Sequence, residues 1–256
     1  MVSATRAERG RATLTTTDDV RLAGCHLLTV DTPRAAVVVV HGFTGSSEHP
    51  EVVALADTLH DRALDVVWYD ARGHGRSGGQ STLGDLEAHD VAAAVTLAAE
   101  RAERVVLVGA SMGAIAALRY AAADARLAGV VLVSCPAAWR LPRNAHGVIA
   151  TGLTRTRVGR ALAARFLKVR VADRWTNPDP PVALVPRVTA PLALVHGEAD
   201  PFIASRDAHE LEALAVGRCM VELVPEMGHA FGPLATPAIL DAVEWTLAHD
   251  QVRSEL

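Results

Sequence analysis

The feature that most limits this chain is a series of short, continuously apolar runs with helical segments between them. Ala35-Ala36-Val37-Val38-Val39-Val40 is the purest of them, and comparable runs occupy residues 64–69, 105–108, 128–134, 192–196 and 220–224. A strand with no polar face must be covered on both sides, and a parallel sheet clad in helices provides that cover. Residues 50–62, 83–101, 114–123, 205–215 and 236–249 read as the helices, and strand–helix alternation of this kind is the pattern of βαβ units. The N-terminal part differs. Residues 12–30 read as two strands around the turn pair Asp18-Asp19, and their partial alternation suits an antiparallel edge hairpin with one wet face.

Residues 136–191 interrupt the rhythm with Pro136, Pro142, Pro178, Pro180, Pro181 and Pro186, around a helical stretch at about 154–169. This part reads as a small lid. The expected organisation is therefore one α/β core formed by residues 12–135 and 189–250, with residues 136–188 inserted. A length of 256 residues suits a single large α/β unit, and a 50% hydrophobic content excludes a disordered chain.

Within this frame, the run 105–108 leads into Gly109-Ala110-Ser111-Met112-Gly113 and then an alanine-rich segment. Strand, one-residue corner and helix form the setting in which a Gly-x-Ser-x-Gly serine exposes its hydroxyl at the top of a sheet. The flanking glycines let strand and helix pass closely. A serine hydroxyl is a poor nucleophile until a base takes its proton and a carboxylate orients that base. On such an elbow the acid and then the histidine follow in chain order. Asp200 in His196-Gly197-Glu198-Ala199-Asp200-Pro201 lies just past a strand and is the preferred acid, with Glu198 as rival and a turn or cap aspartate as the plain alternative. His229, at a Gly-His corner after the last strand, is the candidate base. His41 and His196 also end strands, but neither follows an acid downstream of Ser111, so neither joins the set. Acyl transfer also needs donors for the oxyanion. The backbone N–H of Met112, at a helix start, is one candidate, and that of Phe43, in the loop after the strand ending at His41, is the other.

Taken together, His41-Gly42-Phe43-Thr44-Gly45, Asp70-x-Arg72-Gly73-His74-Gly75-x-Ser77, Gly109-x-Ser111-x-Gly113 and the Asp200/His229 pair resemble the α/β-hydrolase superfamily over nearly the whole chain. Within it the chain is similar to the small-lid serine esterases of the monoacylglycerol-lipase-like and cinnamoyl-esterase-like groups. The resemblance implies an α/β-hydrolase fold: a mostly parallel central sheet with an antiparallel N-terminal hairpin, helices on both faces and a lid. It also implies a catalytic triad of Ser111, Asp200 and His229, oxyanion donors at Phe43 and Met112, and a structural role for residues 70–77. Serine at position 111 argues against the aspartate-nucleophile branches.

Composition narrows the partners. A net charge of −4 and a pI near 6.2 argue against a nucleic-acid binder. Cys25, Cys135 and Cys219 are far apart, each in or beside an apolar run, and read as buried free thiols without metal-ligand spacing. Residues 1–11 lack the apolar core of a signal peptide, and no run reaches the eighteen residues of a membrane span, so a cytoplasmic protein without a span is expected. No metal or cofactor is expected. Charge is unevenly placed: residues 140–174 carry eight arginines and one lysine against Asp173 alone, a net +8. This excess reads either as a solvated helix face or as a lure for an anionic group. Trp139, Phe166 and Trp175 are expected to line a pocket or pack the lid.

The expected activity is hydrolysis of a small-molecule carboxylic ester through an acyl-enzyme. A thioesterase or acyltransferase working on an anionic acyl carrier is the enzymatic alternative. A non-catalytic ligand-binding protein on the same fold is the other.

Overall fold

The computed structural model describes residues 9–123, 126–140, 145–174 and 176–250. Eight strands form one sheet: β1 (Gly10–Thr15), β2 (Arg21–Leu27), β3 (Ala36–Val40), β4 (Asp65–Tyr69), β5 (Val105–Ala110), β6 (Gly129–Val133), β7 (Leu192–Gly197) and β8 (Cys219–Val224). Their spatial order is β1-β2-β4-β3-β5-β6-β7-β8. The β1/β2 and β2/β4 pairs are antiparallel and the remainder parallel. The hairpin turns at Asp19, whose φ of 60° places it in the left-handed region that Asp tolerates. β1 takes the sheet edge with an alternating burial pattern, whereas β3 to β7 are buried along their whole length.

Two apolar layers explain that burial. Helices α1 (Pro50–His60) and α8 (Ala235–Ala248) cover one face, where Val52, Leu55, Leu59 and Ile239 meet Val37, Val39 and Trp68. Helices α2 (Glu87–Ala99), α3 (Met112–Ala121) and α7 (Arg206–Glu212) cover the other, where Val91, Leu118 and Leu211 meet Val38, Leu107 and Leu194. Each fully buried large side chain contributes about 1.5–3 kcal/mol relative to its exposed state. Among the described residues no helix is long and apolar enough to cross a membrane, and no group of three His, Cys, Asp or Glu could hold a metal ion. Cys25 and Cys135 are buried and Cys219 is half-buried; all are free thiols, and burial raises the pKa of each.

Between β6 and β7 lie α4 (Ala145–Arg155), α5 (Arg157–Leu162), a π-helical turn (Ala163–Leu167) and the short α6 (Pro181–Leu184). The expected helix at 154–169 is thus redistributed. It begins at 145 in the described chain and breaks at Thr156, which turns extended (φ −99°, ψ 151°) and caps α5 by accepting a bond from the Gly159 N–H. The two helices touch at glycines: a Cβ on Gly159 would lie 1.9 Å from the Gly152 carbonyl oxygen. None of the α4 residues is buried, and Val148, Ile149, Val158 and Phe166 are all more than half exposed. Phe166 therefore does not pack the segment, although the Arg165 guanidinium lies 5.5 Å from its ring centroid. Trp139 is tied down by donating its indole N–H to the Pro178 carbonyl, and Trp175 lies outside the described residues.

The segment returns to the core beside residues 70–79. Arg170 N–H donates to the Gly73 carbonyl, Ser81 N–H to Arg170, and Ala172 N–H to Ser81. Gly73 (φ +78°) makes this possible, since a Cβ there would lie 2.5 Å from both the Arg170 oxygen and the Ser81 nitrogen.

Candidate active site

Ser111 stands at the junction of β5 and α3 with φ 53° and ψ −113°, a conformation that L-residues with side chains rarely adopt. The junction is held by Ser111 N–H donating to the Val133 carbonyl and by Ile115 N–H donating to Ser111. Its two glycines are sterically required. A Cβ on Gly109 would lie 2.4 Å from the Gly113 oxygen, and one on Gly113 would lie 2.3 Å from the Val40 oxygen. The strain at Ser111 is thereby imposed by close packing of β3, β5 and α3, and it pushes the hydroxyl out beyond the strand ends.

Two further loops, after β7 and β8, converge on that hydroxyl. His229 Nε2 lies 2.9 Å from Ser111 Oγ, and His229 Nδ1 lies 2.7 Å from Asp200 Oδ2. The Asp200 side chain is inaccessible to solvent, while His229 is about one-fifth exposed. Burial pushes the Asp200 carboxyl up, but the His229 hydrogen bond and charge and the Ile203 and Phe202 N–H donors outweigh it, holding the carboxyl below its ordinary value. Both of those N–H groups reach Asp200 Oδ1, at 2.8 and 3.0 Å. An ionised carboxylate only accepts, so Nδ1 carries the ring proton, leaving Nε2 to accept from the Ser111 hydroxyl. Glu198, the rival acid, is exposed; the histidine is paired with Asp200 instead.

The positions expected to supply oxyanion donors flank the same hydroxyl. Met112 opens α3, so its N–H is among the first-turn groups with no carbonyl partner inside the helix. Gly42 passes beside the elbow: its Cβ position lies 3.5 Å from Ser111 Cβ, and Phe43 follows it. His74 Nε2 donates to the Phe43 carbonyl at 2.6 Å, and the Phe43 ring packs against Ala163, Val169 and Val171 of the inserted segment.

Residues 70–77 position this loop. Asp70 accepts from Ser47 N–H and Arg76 N–H, while Arg72 is buried between Asp90 and Asp18 with hydrogen bonds of 2.7–2.9 Å. His41 lies under the loop, accepting from Ala71 N–H at 3.0 Å and donating through Nδ1 to the Gly42 carbonyl at 2.7 Å. Burial, then the neighbouring His74, lowers its pKa to about 4. His196 lies below the acid loop and donates to the Ile203 carbonyl at 3.1 Å. Neither touches Ser111.

Three residues that sequence reasoning did not single out complete the surroundings. Ser134, at the end of β6 with φ 49°, accepts from Ala230 N–H at 3.2 Å and so anchors the histidine loop. The Phe202 ring sits 5.0 Å from the His229 ring, and the His146 ring of α4 sits 5.6 Å from Phe202. Phe202, directly after Asp200-Pro201, carried the one available signal: an aromatic two residues from the candidate acid.

Comparison with known proteins agrees with this architecture. Residues 31–180 match the Hydrolase_4 family, described as serine aminopeptidase, S33. A Bacillus subtilis protein, the uncharacterized YqkD, is 29% identical over 190 residues, which span 71% of this chain and 60% of that protein. The Pyrococcus furiosus esterase Pf2001 superposes with a TM-score of 0.70 at 21% identity, covering 95% of this chain and 91% of that one. Est1E from Butyrivibrio proteoclasticus, solved with ferulic acid bound, superposes at 0.68 and 18% identity, covering 93% and 99%. At these identities the structural likeness establishes the fold.

Proposed function

The chain belongs to the Hydrolase_4 family of α/β hydrolases, and from that membership and the site geometry we propose that it is a serine hydrolase cleaving carboxylic esters of small molecules. The observation that carries this reading is the unbroken hydrogen-bonded chain from Asp200 through His229 to Ser111. In the proposed reaction Ser111 Oγ attacks the ester carbonyl while His229 Nε2 takes its proton. The oxyanion is met by the N–H groups of Met112 and Phe43, with the α3 dipole assisting. The carbonyl re-forms as the alkoxide leaves, taking the proton from His229. Water, deprotonated by His229, then attacks the acyl-enzyme, and the carboxylic acid leaves as Ser111 Oγ takes that proton back from His229. Asp200 holds the Nδ1–H tautomer and stabilises the imidazolium.

In this reading residues 136–188 act as a lid. Their apolar contact with Phe43 shields the oxyanion loop from water, and Phe202 covers one face of His229. The lid's net charge of +8 favours a second reading, a thioesterase or acyltransferase fed by an anionic acyl carrier. Turnover of acyl-carrier thioesters that falls with salt, with little turnover of neutral esters, distinguishes it.

The deciding experiment is intact-protein mass spectrometry after exposure to a small organophosphonate probe of activated serines. A single adduct at Ser111, absent in Ser111→Ala and His229→Ala, is the expected result. A folded wild-type protein that takes no adduct overturns the mechanism and points to a non-catalytic binder.

A further inference from the structure

Part of the positive charge of the inserted segment is sorted by the fold into two groups. Arg140 pairs with Asp207 and Glu210 of the α7 side, and Arg170 donates to the carbonyls of Ser77 and Gly79, so these two fasten the segment to the core. Arg155, Arg160 and Arg174 instead line one cleft of about 220 Å³, closed on the core side by Thr82. This is smaller than the roughly 300–1,000 Å³ of sites for drug-sized molecules, and suits an ionic head group.

The cleft wall carries little that could neutralise the guanidiniums of Arg160 and Arg174. Its one acid is the exposed Asp173. Among the described residues neither Arg160 nor Arg174 is ion-paired. The nearby buried carboxylate, Glu87, is already engaged by the Ser81 hydroxyl, the Thr82 N–H and hydroxyl, and the Gly84 N–H. Arg160 is oriented by donating Nη1 to the Arg155 carbonyl. Two forked donors, Arg160 from α5 and Arg174 from the returning segment, suit the several oxygens of a tetrahedral oxyanion better than a planar carboxylate, whose two oxygens one guanidinium can satisfy.

We propose that this cleft binds a phosphoryl group, either as free inorganic phosphate or as part of the substrate. The site bridges insertion and core at a functional place. Ser81, on its core wall, has its Oγ 3.4 Å from Met112 Sδ, the side chain next to the nucleophile. Val171, on its insertion wall, packs against Phe43. An anion held there fixes the insertion over the oxyanion loop. Binding needs no reaction at Ser111, so the proposal stands or falls apart from the hydrolase reading.

Isothermal titration of the full chain with inorganic phosphate, against chloride at matched ionic strength, tests it. The wild type is expected to bind phosphate, and Arg160→Gln/Arg174→Gln to bind at least about tenfold more weakly, the size of one lost charge-assisted pair. Arg157→Gln, exposed on α5 outside the cleft lining, is expected to bind as wild type. Thermal unfolding and circular dichroism establish that each variant is folded. No phosphate binding by the wild type, or equal weakening by Arg157→Gln, overturns the proposal. The source follows from a phosphate-bearing ester assayed beside its neutral analogue. A preference for the phosphorylated ester that the double variant loses assigns the site to substrate, whereas lost phosphate binding with an unchanged ratio assigns it to a separate ion.

Discussion

Gly113 lies so close to Val40 that a Cβ on the glycine would be 2.3 Å from the valine carbonyl oxygen, and 2.6 Å from that of His41. Both obstacles are backbone atoms of a buried strand end, which no rotamer change can move. Gly113→Ala is therefore expected to lose about 3 kcal/mol, the upper part of the overpacking range, and to displace Ser111. Urea unfolding and phosphonate labelling check this. Unchanged stability with full labelling would show that β3 and α3 are less tightly fitted than described.

The conformation of Ser111 (φ 53°, ψ −113°) is one glycine adopts without strain. Ser111→Gly is expected to abolish turnover while raising stability by about 1 kcal/mol, the lower end of the cost of such a backbone. For a chain of this size that is roughly 2–4 °C in melting temperature. A lower melting temperature in scanning calorimetry would contradict stored strain at the elbow.

Asp200→Asn keeps the size of the side chain and removes the charge that selects the Nδ1–H tautomer. The expected outcome is a fall in kcat of about 10⁴-fold with KM little changed, as known for the equivalent change in a serine protease triad. Glu198→Gln, exposed and unpaired with His229, is expected to leave steady-state kinetics as they are.

His41 titrates near 4 in the folded chain, below the ordinary histidine value of 6.5. The unfolded chain thus binds more protons between those two values, and stability rises with pH across them. The contribution is fully present above about pH 6.5 and is lost as pH falls toward 4, amounting to about 3 kcal/mol at most. Urea unfolding across this window, with His41→Gln as the comparison, should show a steeper acid loss in the wild type. An NMR titration in which the His41 ring protonates near 6.5 would refute the assignment.

Much of this was legible in the chain because sheet burial writes itself directly into composition. The wholly apolar β3, one alanine and four valines, could only be covered on both faces, and the two glycines around Ser111 announced a close approach that the structure places at Gly113 and Val40. The candidate order Ser111, Asp200, His229 was expected on loops after later strands, and those three residues lie after β5, β7 and β8. What stayed hidden depended on how segments pack against one another. Nothing local to Thr156 marked it as a helix break rather than a mid-helix threonine, because the reason is the meeting of Gly152 and Gly159. Ser134 and His146 take their positions from Ala230 and Phe202, residues far away in sequence. The charge of residues 140–174 was visible as a sum, but its division between fastening and lining is a property of the fold.

Ser111 and His229 meet across 118 residues of chain, and His229 and Asp200 across 29. The proposed reacting groups come from loops after β5, β7 and β8, so no fragment lacking the C-terminal strands can hold them together. By the proposed mechanism a partly folded chain, however compact, is chemically silent. Labelling of Ser111 thereby becomes a readout of the complete native state: during refolding it should appear only when β8 has docked, later than signals from β3 or β5.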